Sequence, residues 1–277
     1  MEIVVAGLLL GVTEMNKFTL VLFRSLGFKR PKPKTRLGRC LRRAERLLSI
    51  LGLLYVGLLL FPQVLFAHSV TAQGVTIYAR QPLPTGTTAC IARVKTLVEQ
   101  TELSVPGRRE QVFVCNARWL FRVFRPFGFR VFAVSIPWTD KIFIADADLS
   151  KDISRREATE FNSRSFSGVV AHEITHGLIR HRLGLFRGMR LPDWVAEGYC
   201  DFVAHESSFP EAEGLRRLAA DEPDVSTAFR YFTYRQMVRY LIEDQHLSFA
   251  EVVEHAKNFA TIKAATRKAI KDELHND

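Results

Sequence analysis

Residues 167–184 read SGVVAHEITHGLIRHRLG. On an α-helix, residues four apart share a face, so His172 and His176 can present two imidazoles to one metal ion while Glu173 leans over the same edge. The competing reading is a solvated helix with a surface Glu and two structural His. Two His fall short of a zinc site, which needs at least one more protein ligand and, if catalytic, a fourth position for water. The polar stretch before the helix ends in Ser and Asn, residues that cap helices well.

The missing donor is found downstream, in PDWVAEGYCD. Glu197 lies 21 positions beyond His176, far enough for the chain to leave one helix, turn, and lay a second beside it. Asp201 follows four positions later on the same face, where its carboxylate can accept the N–H of a ligand imidazole and fix its tautomer.

His172, Glu173, His176, Trp194, Glu197, Gly198 and Asp201 together resemble the gluzincin branch of zinc metallopeptidases, the thermolysin-like and aminopeptidase-like group. Its shared pattern is H-E-x-x-H, then about twenty residues later a Glu ligand in a W-x-x-E-G context, with an Asp four residues after it. The resemblance covers about residues 110–245. The other large zincin class asks for a glycine and a third histidine where this chain has Ile179 and Arg182; His181 is one position out of place.

The resemblance implies a zincin-like α+β domain with Zn²⁺ held by His172, His176 and Glu197, and Asp201 supporting a ligand from behind. It makes Glu173 the base that takes a proton from the metal-activated water and passes it to the leaving amine. The implied substrate is a peptide or protein. An oxyanion donor is also needed. Tyr231 and Tyr234 are the candidates because they open the helix after the ligand helices, although a Tyr on an amphipathic helix commonly serves packing. Tyr199, two positions from Glu197, points away from the metal; His205 is a further candidate. Two alternatives stand beside the peptidase: a catalytically inert, membrane-tethered binding module that keeps zinc for structure, and a zinc hydrolase of a non-peptide amide.

At 277 residues and 47% hydrophobic content, the chain can build one sizeable domain with appendages. Its net charge of +10 is lopsided: residues 1–47 carry eleven Lys and Arg against three Glu, leaving only +2 for the rest. Residues 47–67, LLSILGLLYVGLLLFPQVLFA, hold no charge, and 21 apolar residues suffice to span a bilayer. The expected organisation is a basic cytoplasmic segment over 1–46, a transmembrane helix or uncleaved signal anchor over 47–67, and an extracytoplasmic catalytic domain over 70–277. In that arrangement the basic charge orients the chain and meets anionic lipid, with no nucleic acid as partner. Residues 1–28 are apolar but interrupted by charge, and translation starting at Met15 is an open alternative.

Beyond residue 70 the periodicity suggests an α+β layer followed by a mostly helical half. Strands are expected at 74–80 and 111–116 with a helix between them over 88–103, then a short helix in ARWLFRVF and a hairpin of 130–135 with 141–147. The strand at 141–147 is a candidate for binding an extended peptide by strand addition. The Phe-rich stretch WLFRVFRPFGFRVF at 119–132 reads as core and domain cover, with a lipid-binding surface as the open alternative. Ser248 and Glu251 form the signature of a capping box. Cys90 and Cys115 could approach closely enough for a disulfide, whereas Cys40 and Cys200 have no evident partner.

Overall fold

The computed structural model describes residues 35–276, apart from 129, 224 and 225, so the readings made on residues 1–34 lie outside the described residues. The chain divides into two compact units, 1–64 and 65–277.

In the first unit, helix α1 (Arg36–Leu60) starts at Thr35, whose side chain accepts the Gly38 N–H. This helix overturns the expected transmembrane segment. Among the described residues, no helix is long and apolar enough to cross a membrane. The reason is where the helix begins and ends. Its first three turns hold Arg36, Arg39, Arg42, Arg43, Glu45 and Arg46, so only residues 47–60 are both helical and uncharged. At 1.5 Å per residue they extend about 21 Å, against a hydrocarbon core of about 30 Å. Phe61 then leaves helical geometry at φ −130° and ψ 56°, as expected of a residue preceding a proline. The charge-free run in the sequence is therefore interrupted by Pro62, and residues 62–65 form a 3₁₀ turn. The single-pass localisation, with its cytoplasmic and extracytoplasmic sides, depended on that span and is withdrawn with it.

The second unit is α+β, as the periodicity suggested. Strands β1 (His68–Ala72), β2 (Val75–Ala79), β3 (Glu110–Val114), β4 (Ala133–Ser135) and β5 (Ile142–Ile144) form one sheet in the order β1-β2-β3-β5-β4. The pairs β2/β3 and β3/β5 are parallel, and the two outer pairs are antiparallel. Alternation along the strands separates two faces. Ile77, Val112, Val114, Ile142 and Ile144 turn into the main core. Tyr78, Phe113 and Phe143 sit opposite one another in register and stack at 4.7 and 5.1 Å on the other face. Helix α3 (Arg118–Phe124) covers that aromatic ladder, with Phe124 3.8 Å from Phe143 between ring centroids.

The main core is completed by α2 (Thr87–Glu99) and α4 (Phe166–Leu183), which pack on each other. The polar stretch between β5 and α4, expected to be a loop, is a second antiparallel sheet of β6 (Asp146–Asp148), β7 (Ile153–Arg155) and β8 (Ser163–Ser165). Its strands are three residues long and polar, too short for a period-2 hydrophobic signal. Ser165 ends it and caps α4 by accepting the Gly168 N–H at 2.9 Å.

After the short α5 (Leu185–Met189), the chain forms α6 (Asp193–Val203), α7 (Glu211–Ala219), α8 (Thr227–Arg239), α9 (Phe249–Glu254) and α10 (Phe259–Asn276). The capping box at Ser248 and Glu251 is present. Helices α6 and α8 meet closely at Gly198, where any side chain would run into the Tyr234 carbonyl. That contact gives the glycine after Glu197 a packing role. The Cys90–Cys115 disulfide left open by the sequence does not form: both thiols are buried and free. Cys90 Sγ instead faces the Leu149 carbonyl at 3.3 Å, and Cys115 lies over Phe113 O.

Candidate metal centre

Helix α4 is buried on nearly every side, so its polar residues need partners inside the protein. His172 finds them on α6. Its Nδ1 lies 2.7 Å from Asp201 Oδ1, and its Nε2 lies 3.2 Å from Glu197 Oε2. One turn on, His176 Nε2 is 3.2 Å from His172 Nε2 and 3.6 Å from Glu197 Oε1. The i, i+4 spacing on α4 and the Glu197 to Asp201 spacing on α6 therefore meet at one point.

The donor chemistry fits a cation. The carboxylate beside His172 Nδ1 favours the tautomer with its hydrogen there, which turns the Nε2 lone pair toward His176 and Glu197. Ligand atoms bound at about 2.0–2.1 Å in a tetrahedron stand about 3.3 Å from each other, close to the separations found here. The electrostatics agree. Burial alone would lower the His172 pKa, but Asp201 and Glu197 outweigh it and raise it to about 10. Burial would raise the Glu197 pKa, but His176 and His172 hold it well below the usual carboxylate range. Both shifts show carboxylates that favour positive charge at the imidazole edge.

A further donor was not anticipated as a ligand. The ligand atoms of His172, His176 and Cys200 all lie within 4.8 Å of one another, so this group could hold a metal ion. Cys200 is fully buried one turn past Glu197, and burial together with Glu197, Asp201 and Glu173 pushes its thiol well above the ordinary range. The Glu197 carboxylate stands beside the same two imidazoles, with Oε2 3.2 Å from His172 Nε2 and Oε1 3.6 Å from His176 Nε2.

Glu173 does not join this cluster. It lines an adjoining cleft of about 330 Å³ together with His172, His176, Glu197, Tyr231 and residues 131–135. Of the two tyrosine candidates, Tyr231 reaches the cleft; burial, Glu197, Asp193 and Asp201 all raise its pKa, so its hydroxyl remains a donor. Tyr234 is placed differently. It packs among partly buried residues against the core, its ring edge-on to Phe259 at 6.0 Å, and does not line the cleft. Tyr199 does face away, bonded to Thr101 Oγ1 at 2.6 Å, and His205 is engaged with Gln100 at 3.1 Å.

The edge strand also differs from expectation. The segment 141–147 supplies β5, which is paired on both sides and cannot accept an added strand, and the start of β6, at the edge of the second sheet. The edges of the five-stranded sheet are β1 and β4, and β4 lines the cleft.

Arg164 is the residue most clearly missed from sequence. Its largely buried guanidinium binds Asp201 Oδ1 at 2.9 Å and Glu206 Oε1 at 3.2 Å, holding the carboxylate that orients His172. Only its position just before the capped α4 N-terminus hints at this in the sequence.

No protein-family model, curated protein or solved structure matches this chain.

Proposed function

We propose that this protein is a zinc-dependent hydrolase of gluzincin type acting on peptide bonds. The observation that carries the reading is the convergence of His172 Nε2, His176 Nε2 and the Glu197 carboxylate within 3.2–3.6 Å, with Asp201 behind His172 at 2.7 Å. Two imidazoles and a carboxylate suit zinc better than magnesium or calcium, which favour oxygen-only sets. When bound there, zinc supplies a Lewis acid that polarises a carbonyl and makes water acidic at neutral pH.

The chain's own residues divide the remaining work. The free edge of β4 aligns an extended substrate through backbone hydrogen bonds, which requires no particular side chains. Glu173, in the cleft but outside the donor cluster, takes the proton of the attacking water and delivers it to the leaving nitrogen. Tyr231 donates its hydroxyl hydrogen to the oxyanion as the carbonyl becomes tetrahedral. Asp201 holds His172 in one tautomer throughout.

Metal content and peptide hydrolysis of the full chain test this together. Glu173→Gln is expected to keep about one zinc per chain and to lose turnover by at least 10²-fold, in line with removal of a general base. Glu197→Ala should lose most of its zinc, whereas Cys200→Ala should retain it. Zinc held normally by Glu197→Ala and lost from Cys200→Ala would transfer the third ligand to the thiol and remove the gluzincin assignment. Full activity in Glu173→Gln would refute the mechanism.

A further inference from the structure

Four arginines line the cleft beside the donor cluster: Arg125, Arg156, Arg164 and Arg180. Two are already neutralised. Arg164 is bound by Asp201 and Glu206, and Arg180 by Asp140 at 2.9 Å. The other two make no ion pair among the described residues. Arg125 makes one side-chain hydrogen bond among the described residues, from its Nε to the Gly128 carbonyl at 3.4 Å.

Arg156 is the more telling case because it is half-buried. Its Nε donates to the Phe161 carbonyl at 3.1 Å, and its guanidinium lies 5.0 Å from the Phe132 ring centroid. These two contacts fix the plane of the group and leave Nη1 and Nη2 without a protein acceptor among the described residues. After burial, the larger influence on its charge is the like charge of Arg164; both lower its pKa, and Tyr231 offsets them in small part. A guanidinium cannot shed its proton at neutral pH to relieve this. A planar, positioned, unpaired guanidinium in a partly dry cleft is matched by one ligand chemistry above others, a carboxylate held by two parallel hydrogen bonds. A solvated surface arginine would show neither the aromatic support nor the burial.

We propose that Arg156, with Arg125 lining the same cleft, reads a carboxylate on the substrate, so that the preferred peptides carry an acidic side chain or a free C-terminal carboxylate near the scissile bond. This specificity rests on the hydrolase reading given above, and binding separates the two.

The test uses the full chain loaded with zinc and carrying Glu173→Gln, so that bound peptide is not consumed. Fluorescent peptides are compared in pairs that differ only by Asp against Asn at one position, or by a C-terminal acid against its amide. One anionic member should bind roughly 10- to 100-fold more tightly than its neutral partner, the range for hydrogen bonds to charged groups. Which pair shows the difference identifies the source of the carboxylate. Arg156→Ala should remove most of that ratio, and Arg156→Lys should restore only part of it. Arg156→Gln, which retains a donor for Phe161 O, serves if the alanine variant loses zinc or fold. Equal affinities within every pair, including no binding of either member, overturn the inference, as does a preference that survives Arg156→Gln. Turnover by the Glu173-intact chain is read separately. If no peptide is cleaved the hydrolase reading fails, while the binding ratio still decides the role of Arg156.

Discussion

Two arginine–carboxylate networks hold helix α4, one at each end, and they are built differently. At the N-terminal end, Arg164 joins β8 to Asp201 on α6 and to Glu206 just beyond it; the Arg164 and Asp201 side chains are 7% and 1% exposed. At the C-terminal end, Asp140 in the β4–β5 turn takes Arg180 on one oxygen and Arg108 on the other, both at 2.9 Å, and is 36% exposed. Arg108 also binds Glu110 at the start of β3 at 2.6 Å. The closed network continues into the candidate metal centre through Asp201 and His172, whereas the half-open one ties the same helix to the edge strand that flanks the cleft. One end of the helix thus aims the donors and the other positions the strand expected to carry substrate.

The difference in solvent access sets the first test. Removing one partner from a buried pair leaves a charge with neither water nor counter-ion, which typically costs 3–5 kcal/mol. Arg164→Ala leaves buried Asp201 with His172 as its remaining partner and Glu206, whose side chain is 26% exposed, to water, so it should destabilise the chain by about 3 kcal/mol in denaturant unfolding and weaken any metal binding through His172. A loss below about 1 kcal/mol would mean that the closed network is no more demanding than a surface pair, and the contrast between the two ends would collapse.

How much of this was visible in the sequence follows from the range of each interaction. The convergence of the candidate donors was legible because helical periodicity turns sequence spacing into shared direction: His172 with His176, and Glu197 with Asp201, each four apart. The α+β order of the second unit was legible from strand alternation and caps such as Ser248 with Glu251. Arg164 was not, because its partners lie 37 and 42 positions away and a polar loop gives no signal of burial. The three-residue strands β6, β7 and β8 were missed for lack of period. The apolar run at 47–67 misled because composition was weighed over a window that Pro62 divides, and because the arginines of 36–46 turned out to share its helix. The strand expected at 141–147 is only the core of it, Ile142–Ile144, before the chain passes into the second sheet, and its neighbours, which decide whether an edge is free, belong to tertiary structure.

The half-open network predicts a smaller effect. Asp140 has φ 52°, a left-handed conformation that Asn adopts readily, so Asp140→Asn removes the charge without straining the turn. Each bond it makes is partly exposed, and water can replace much of what is lost. Its cost should be roughly 0.5–1.5 kcal/mol and should shrink as salt is raised, whereas the Arg164→Ala cost should change little. A loss for Asp140→Asn equal to that for Arg164→Ala at both low and high salt would erase the distinction drawn from exposure.

The smallest effect concerns the sign of the pH dependence, which differs between the networks. Asp201 is held below the usual carboxylate range because Arg164 and His172 outweigh its burial. Glu110 goes the other way. Burial raises its pKa above the ordinary 4.5, and Arg108 offsets this only in part. A carboxyl with a raised folded-state pKa binds more protons folded than unfolded, so its contribution is fully present below the unfolded value and is lost as pH rises through the folded one. Glu110→Gln abolishes that titration while keeping the shape of the side chain. The stability of wild type relative to Glu110→Gln, measured by urea midpoints from about pH 4 to about pH 7, should therefore fall as pH rises and then level off. A relative stability that climbs over the same interval would mean that Arg108 dominates burial at Glu110, and that both ends of α4 follow one electrostatic rule after all.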